Sequence, residues 1–223
     1  NFTINSESAL LEPGVPPLAD RLEQLAYLAS QFGPQHISWR FDPVCFFRTT
    51  LQSPVQHNLD GFESIAAHAA DLGIKKCVTS FYDDYPKIQK RIQRLAGKNA
   101  SIACFVPVSS HKKRQIIQQM ETQLAKTDIR LFLCCEKETF ELLGPDTSVM
   151  ENACIDSRAL NQAFGRNNDT QRDYGQRFKQ GCRCTRSIDV GSYADHPCRH
   201  NCLFCYAHPE MDLTLNRQKR NTE

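Results

Sequence analysis

Three cysteines near the end of this 223-residue chain have the spacing C-x3-C-x2-C: Cys198, Cys202 and Cys205. Thiolates this close on one loop can each bind a different iron of a single [4Fe–4S] cube, and a cube normally takes four cysteines. Three ligands would leave one iron open to a substrate or cofactor. The spacing therefore predicts a [4Fe–4S] cluster that does chemistry rather than only carrying electrons.

Zinc is the alternative metal. Cys182 and Cys184, with two of the later cysteines, could form a four-thiolate zinc site in which His196, His200 or His208 replaces a thiolate. Zinc sites favour pairs spaced C-x2-4-C, whereas Cys182 and Cys184 are spaced C-x-C. The spacing favours iron–sulfur, and a structural zinc stays open.

Two further cysteines, Cys135 and Cys154, are candidate partners of Cys182 and Cys184 in an auxiliary cluster. The alternative is that they are small buried hydrophobic residues, as most free cysteines are. The remaining four lie in apolar runs or at their edges, and we predict core positions for Cys45, Cys77, Cys104 and Cys134.

Composition limits the partners and the compartment. The 11 cysteines are an odd number and cannot all pair as internal disulfides. No signal peptide opens the chain, and its apolar runs are far shorter than the roughly 20 residues of a membrane helix. With 27 Lys+Arg against 25 Asp+Glu, binding to nucleic acid or to an anionic membrane is not expected. We therefore expect a cytoplasmic protein, in which clustered thiols indicate a metal.

Short β-type runs alternate with helical patterns over residues 1–145. Strand-like runs cover 36–41, 76–81, 102–108 and 129–135, and apolar residues at three- and four-residue steps indicate helices between them. Asp60 and Ser109 or Ser110 are candidate N-caps. This alternation predicts an α/β fold with a parallel sheet, either doubly wound or a partial or complete (βα) barrel. Residues 146–223 are predicted as a polar connection and a cysteine-rich, metal-binding tail of the same domain.

In parallel βα folds, functional groups gather at the C-terminal ends of strands. Arg40 and Asp42 lie at such an end, as do Ser80, Asp83 and Glu136. Arg40 could clamp a carboxylate or phosphate of a substrate or cofactor, and Asp42 could orient that group or accept a proton. The alternative is that Asp42-Pro43 forms a turn and Arg40 pairs with a neighbouring acid.

The C-x3-C-x-Phe-C string resembles the cluster motif of the radical S-adenosylmethionine superfamily. The resemblance implies that Cys198, Cys202 and Cys205 hold a [4Fe–4S] cluster whose open iron chelates S-adenosylmethionine, with Phe204 near the adenine. It further implies reduction by a donor such as flavodoxin or ferredoxin. The 5′-deoxyadenosyl radical formed would then abstract hydrogen from a substrate that the sequence does not identify.

A closer resemblance runs along nearly the whole chain. The string Cys184-x2-Ser187-x-Asp189-x-Gly191-x-Tyr193, followed by the three-cysteine motif and Tyr206-Ala207, is similar to the C-terminus of the bacterial domain-of-unknown-function family 1848. The family pattern also matches Trp39-Arg40-Phe41-Asp42-Pro43, Cys135-Glu136 and Cys154-Ile155-Asp156. The resemblance implies a partial, TIM-like (βα) barrel with further βα units ahead of residue 1.

Three hypotheses result. The first is a radical-SAM-type iron–sulfur enzyme. The second is a non-catalytic binding or structural domain whose C-terminal tail is held in place by zinc or by a closed cluster. The third is a two-cluster electron-transfer protein.

Overall fold

The computed structural model describes residues 1–96, 103–175, 177–188, 190–192, 196 and 198–207. Strands and helices follow one another along these residues. In order they are β1 (Phe2–Thr3), α1 (Leu18–Phe32), β2 (Trp39–Val44), β3 (Phe46–Arg48), β4 (Gln56–His57), α2 (Phe62–Asp71), β5 (Lys76–Phe81), α3 (Pro86–Ala96), β6 (Cys104–Phe105), α4 (Ser110–Leu124), β7 (Arg130–Leu133), α5 (Lys137–Leu143), β8 (Met150–Glu151) and α6 (Ser157–Phe164).

The central sheet has five strands in the order β1-β2-β5-β7-β8, and every neighbouring pair is parallel. Strands that are neighbours in this sheet follow each other along the chain, with helices in the connections. The predicted α/β fold with a parallel sheet is therefore confirmed. The described sheet ends at β1 and β8, so a barrel is not shown.

A smaller antiparallel sheet, in the order β4-β3-β6, lies beside the central one. The strand predicted over 102–108 is shortened to β6 and belongs to this second sheet; residue 102 lies outside the described residues. Cys104 in β6 is exposed, so its predicted core position is wrong. Cys45 and Cys77 are buried, as predicted.

Two helix starts test the predicted caps. The Ser109 hydroxyl accepts the Lys112 N–H at 3.3 Å, which confirms Ser109 as the N-cap of α4. The N-cap of α2 is Gly61 and not the predicted Asp60, and no side chain caps that helix. Helix α1 ends before Gly33. In the described residues no helix has the length and apolar character needed to cross a bilayer.

Aromatic packing fixes the main core between the sheet and its helices. Trp39 is fully buried, stacks on Phe62 with ring centroids 5.3 Å apart, and donates its indole N–H to the Ile4 carbonyl at 3.0 Å. Phe41 meets the Phe62 ring edge-on at 5.1 Å. These contacts hold β1, β2 and α2 together, so the polar C-terminal end of β2 has a rigid base.

A second apolar cluster joins the tail to the body of the protein. Leu203, from the cysteine-rich tail, is 2% exposed and packs with Leu11, Cys45, Phe47, Leu95 and Ala103. The N-terminal segment, the antiparallel sheet and α3 all contribute to this cluster. The tail is therefore anchored by apolar burial as well as by its polar contacts.

Candidate functional site

Polar side chains from β2 meet Ser80 near the C-terminal end of β5; Arg40 and Asp42 lie within β2 and not at its end, where we predicted them. Arg40 Nη2 lies 2.5 Å from Asp42 Oδ2, and the Ser80 hydroxyl donates to the other Asp42 oxygen. The Asp42 N–H donates to Asn5 Oδ1 at 2.8 Å. Arg40 thus pairs with a neighbouring acid, which was the structural alternative. Asp42-Pro43 is a cis peptide bond within β2 and not a turn that closes the strand.

Two other predicted strand-end groups have structural partners. Glu136 accepts the Phe81 N–H at 2.9 Å and the Lys113 ammonium at 3.0 Å. Asp83 pairs with Arg177 at 2.7 Å. Glu136 therefore ties β5 to α4, and the Asp83 pair ties the tail to the end of β5.

Five cysteines come together beyond the ends of β7 and β8, and we call them the strand-end thiols: Cys134, Cys135, Cys154, Cys182 and Cys184. Cys134 Sγ lies 3.1 Å from Cys154 Sγ and 3.8 Å from Cys135 Sγ. Cys182 and Cys184 lie near enough to the other sulfurs to shift the pKa values of Cys135 and Cys154. We call this arrangement of five sulfurs the ring. All four predicted auxiliary residues lie in it, together with Cys134, for which we predicted the core.

Nitrogen donors point at two of these sulfurs. Arg40 Nη1 and Asn152 Nδ2 lie 2.9 and 3.2 Å from Cys154 Sγ. The Ile155 N–H lies 3.4 Å from Cys184 Sγ. Hydrogen bonds from the Cys134 and Cys184 thiols lower the pKa of Cys154, and Arg40 lowers it further. The ring therefore favours a thiolate at Cys154.

The pKa values of the other thiols in the ring depend on the sulfurs next to them. A bond from Cys134 lowers the pKa of Cys135 to about 7, helped by the charge of Arg177. The neighbouring Cys135 and Cys154 sulfurs, followed by burial, raise the pKa of Cys134, and the nearby Cys154, followed by burial, raises that of Cys184.

Backbone pairing brings the tail to the strand ends. The Thr185 N–H donates to the Ile155 carbonyl at 2.9 Å, and the buried Thr185 and Ser157 hydroxyls are 2.7 Å apart. The Arg172 guanidinium donates to the Cys182 carbonyl at 2.8 Å. These bonds fix Cys182 and Cys184 against the start of α6, which explains why they meet Cys154 and not the later cysteines.

The three cysteines of the C-x3-C-x2-C motif, which we call the loop thiols, are Cys198, Cys202 and Cys205. Their loop curls around Arg91 of α3, which is 4% exposed. Arg91 Nη1 lies 3.4, 3.2 and 2.7 Å from the carbonyl oxygens of Cys202, Leu203 and Cys205. One guanidinium group thus sets the backbone of the loop.

The N-terminal segment supports the same loop. The Gly14 N–H donates to the His200 carbonyl at 2.8 Å, and the Leu203 N–H donates to the Leu11 carbonyl at 2.7 Å. A Cβ at Gly14 would lie 2.3 Å from the Arg199 carbonyl oxygen. The close approach of the two backbones therefore requires glycine at this position.

A cavity of about 190 Å³ separates the loop from the strand ends. Cys202, Phe204 and Cys205 line one side, and Asp42 and Ser80 line the other. Burial, more than the nearby Glu12 carboxylate, raises the pKa of Cys202. Cys198 is exposed and does not line the cavity. The structure thus places two of the three predicted ligands and Phe204 opposite the predicted Asp42.

The chemistry of the donor side chains indicates which metals they suit. Within the part of the chain that is described, no three or more His, Cys, Asp or Glu side chains stand as a ready site for an ion. The donor sets are soft thiols, which suit iron–sulfur clusters and zinc. His208, a substitute zinc ligand, and two residues of the quoted family string, Asp189 and Tyr193, lie outside the described residues.

Two residues of the site escaped sequence reasoning. Arg91 belongs to the basic helix α3 and lies on the same face as the buried Ile88 and Leu95. That spacing was a usable signal. Cys134 is 6% exposed, so its predicted core position is confirmed, but the sequence did not indicate its contact with Cys154.

Comparison with known proteins gives one match. The family model described as "Domain of unknown function (DUF1848)" matches residues 1–207, which includes every residue that the structure describes. No curated protein and no solved structure matches the chain. Because the match covers most of its length, this chain belongs to the DUF1848 family.

Proposed function

We propose that this protein is a radical-SAM-type iron–sulfur enzyme, built on a partial (βα) barrel, whose loop thiols hold a [4Fe–4S] cluster. One observation carries the proposal: Cys202, Phe204 and Cys205 line the same cavity as Asp42 of β2 and Ser80 of β5. In parallel βα folds the carboxyl ends of the strands are where substrates bind. A metal on this loop would therefore face the substrate end of the sheet.

When bound, such a cluster supplies one-electron reduction of S-adenosylmethionine, with electrons from a donor such as flavodoxin or ferredoxin. The residues of this chain position and shield the reactants. Asp42 is held by Arg40 and Ser80 and can accept a hydrogen bond from a ligand in the cavity. Phe204 and Tyr82 add apolar walls that reduce access of water.

The size of the cavity limits what it can hold. Ligand sites commonly enclose about 300–1,000 Å³, and this cavity encloses about 190 Å³. It therefore fits a small substrate or one end of S-adenosylmethionine, and not both molecules. The exposed side of the loop, where Cys198 lies, offers the remaining space.

The test is anaerobic reconstitution with iron and sulfide, followed by incubation with S-adenosylmethionine and dithionite. We expect a brown protein with about four irons on the loop and release of 5′-deoxyadenosine and methionine. A variant with Cys198, Cys202 and Cys205 all changed to alanine should lose both. Cys104→Ala, which removes an exposed thiol outside both groups, should retain both. Stoichiometric zinc on the loop with no brown species would refute the proposal.

A metal-stapled, non-catalytic domain is the second candidate, because Cys182 and Cys184 tie the tail to the strand ends. Its closed-cluster form needs one of them as a fourth ligand on the loop. Cys184 contacts Cys154 instead. Cys184→Ala should therefore keep the loop cluster and its binding of S-adenosylmethionine. Loss of both on this substitution would favour the stapled domain.

A further inference from the structure

We infer that the strand-end thiols form a separate four-thiolate site for a single thiophilic ion of the Zn²⁺ class. The site would use Cys154, Cys182 and Cys184, with a fourth sulfur from the neighbouring Cys134 and Cys135. This inference does not depend on the proposed function, which concerns the loop thiols alone.

Spacing of the sulfurs favours one ion over a cluster. Zn–S bonds of about 2.3 Å in a tetrahedron place the sulfurs about 3.8 Å apart. Cys134 and Cys135 have that separation, and Cys134 and Cys154 are at 3.1 Å. The cysteines of a [4Fe–4S] cube bind different irons, so their sulfurs stand farther apart than ligands of one ion. The described residues hold no ready site for an ion, so binding would draw these side chains together.

The ligands come from two parts of the chain with different roles. Cys134, Cys135 and Cys154 follow β7 and β8 and are fixed by the central sheet. Cys182 and Cys184 come from the part of the tail that precedes the loop, where Tyr174, Ile188 and Val190 are at least 70% exposed. An ion shared between these parts would fasten the tail to the sheet.

Neighbouring groups stabilise thiolates in the ring. Arg40, Asn152 and the Ile155 N–H donate to its sulfurs at 2.9–3.4 Å. Such outer donors orient and tune metal ligands. They also offset the excess negative charge that four thiolates leave on a divalent ion.

The experiment uses the full chain in which the three loop thiols are changed to alanine, so that only the strand-end thiols can bind. The metal-free protein is titrated anaerobically with Co²⁺, then with Zn²⁺. We expect one equivalent of Co²⁺ with the intense visible bands of tetrahedral thiolate coordination, displaced by one equivalent of Zn²⁺. Cys184→Ser in this background should lose the bands, and Cys104→Ala should keep them.

A second measurement tests the inference even if the Cys184→Ser protein folds poorly. The unsubstituted strand-end thiols are counted with a thiol reagent, with and without Zn²⁺. Zinc should protect four more thiols than are protected in its absence. Reaction of all five regardless of zinc would overturn the inference, as would retention of several irons with sulfide at this site. If the strand-end thiols bind no ion, the proposal of a loop cluster still stands. If the loop binds no cluster, the inference about the strand-end thiols still stands.

Discussion

The two groups of thiols in this protein are held in opposite ways. Among the strand-end thiols, Cys134 contacts Cys135 and Cys154 directly, and the Cys184 sulfur accepts the Ile155 N–H that follows β8. The loop thiols are placed by their backbone, through Arg91, Gly14 and the burial of Leu203. In the first group side chains meet; in the second, the backbone is fixed and the sulfurs are directed at a cavity or at solvent.

That difference separates two roles for cysteine. A ring of sulfurs that is already in contact has no room for a substrate, so it suits a structural ion. A loop with a rigid backbone and sulfurs facing a cavity leaves space for a further molecule, which a catalytic site needs. Arg40 lies between the groups, since it contacts Cys154 of the ring and Asp42 of the cavity.

Arg91→Ala should destabilise the loop and leave the structure around the strand-end thiols unchanged. Three carbonyl groups of the loop would lose a charged donor, and we expect the free energy of unfolding to fall by about 3 kcal/mol. Amide hydrogen exchange should speed up at 198–207 and stay unchanged at 150–157. Iron incorporation on the loop should fall together with this protection.

The matched control is Arg94→Ala, which removes an exposed arginine from the same helix. It should change the free energy of unfolding by less than about 0.5 kcal/mol. Equal losses from the two substitutions, or faster exchange at both groups in Arg91→Ala, would contradict a loop-specific role.

Gly14→Ala tests the same loop from its other side. The new Cβ would meet the Arg199 and His200 carbonyl oxygens at 2.3 and 2.7 Å, so one backbone must move. Overpacking of this kind destabilises by about 2 kcal/mol, which urea unfolding would measure. Gly191→Ala is the control, because the nearest atom would lie at 3.7 Å. A neutral Gly14→Ala would show that the loop moves freely.

Arg40→Lys should act on both groups, more weakly. The Arg40 guanidinium contacts Asp42 and Cys154 through two different nitrogens, and both partners are mostly buried. Lysine has one ammonium group and cannot reproduce both contacts. We expect a loss of about 1–2 kcal/mol in the free energy of unfolding and weaker Co²⁺ binding at the strand-end thiols. Lys75→Met breaks an exposed pair with Asp128 and should have almost no effect. An unaltered cobalt affinity in Arg40→Lys would separate Arg40 from the ring.

Sequence periodicity was sufficient for the three longest strands of the central sheet and for the long helices, although the strand predicted at 36–41 is shifted to Trp39–Val44. Buried parallel strands are continuous apolar runs, and the strand at Lys76–Phe81 was predicted at its observed bounds. The two-residue strands β4 and β8 and the short helices α5 and α6 were not predicted. Elements this short are set by tertiary contacts, because few residues carry too little periodicity.

The sites divide in the same way. Spacing along the chain identified the loop thiols, since their geometry is local. It also suggested the four auxiliary cysteines, although nothing in the spacing joins Cys154 to Cys184. That contact depends on the pairing of Thr185 with Ile155, a long-range backbone bond. Arg91 acts through carbonyl oxygens more than 100 positions away, which a linear pattern does not express.

Glu12→Gln should give the smallest effect, and one that depends on pH. Burial raises the pKa of Glu12, and the hydrogen bond from Asn5 at 3.1 Å only partly offsets this. The native protein then binds this proton more tightly than the unfolded chain does. The contribution of Glu12 to stability therefore falls as pH rises from 4.5 through the native pKa.

The glutamine variant keeps the acceptor for Asn5 and removes the charge near Cys202. Its free energy of unfolding relative to the parent should increase between pH 4 and pH 8, by about 1 kcal/mol, the scale of one buried polar group. Denaturant titrations with reductant and chelator at four pH values would measure this. Glu23→Gln, on the exposed face of α1, should show no such trend. If the difference in the free energy of unfolding between variant and parent shrinks with rising pH, the prediction is wrong. The Glu12 carboxylate would then stabilise the loop.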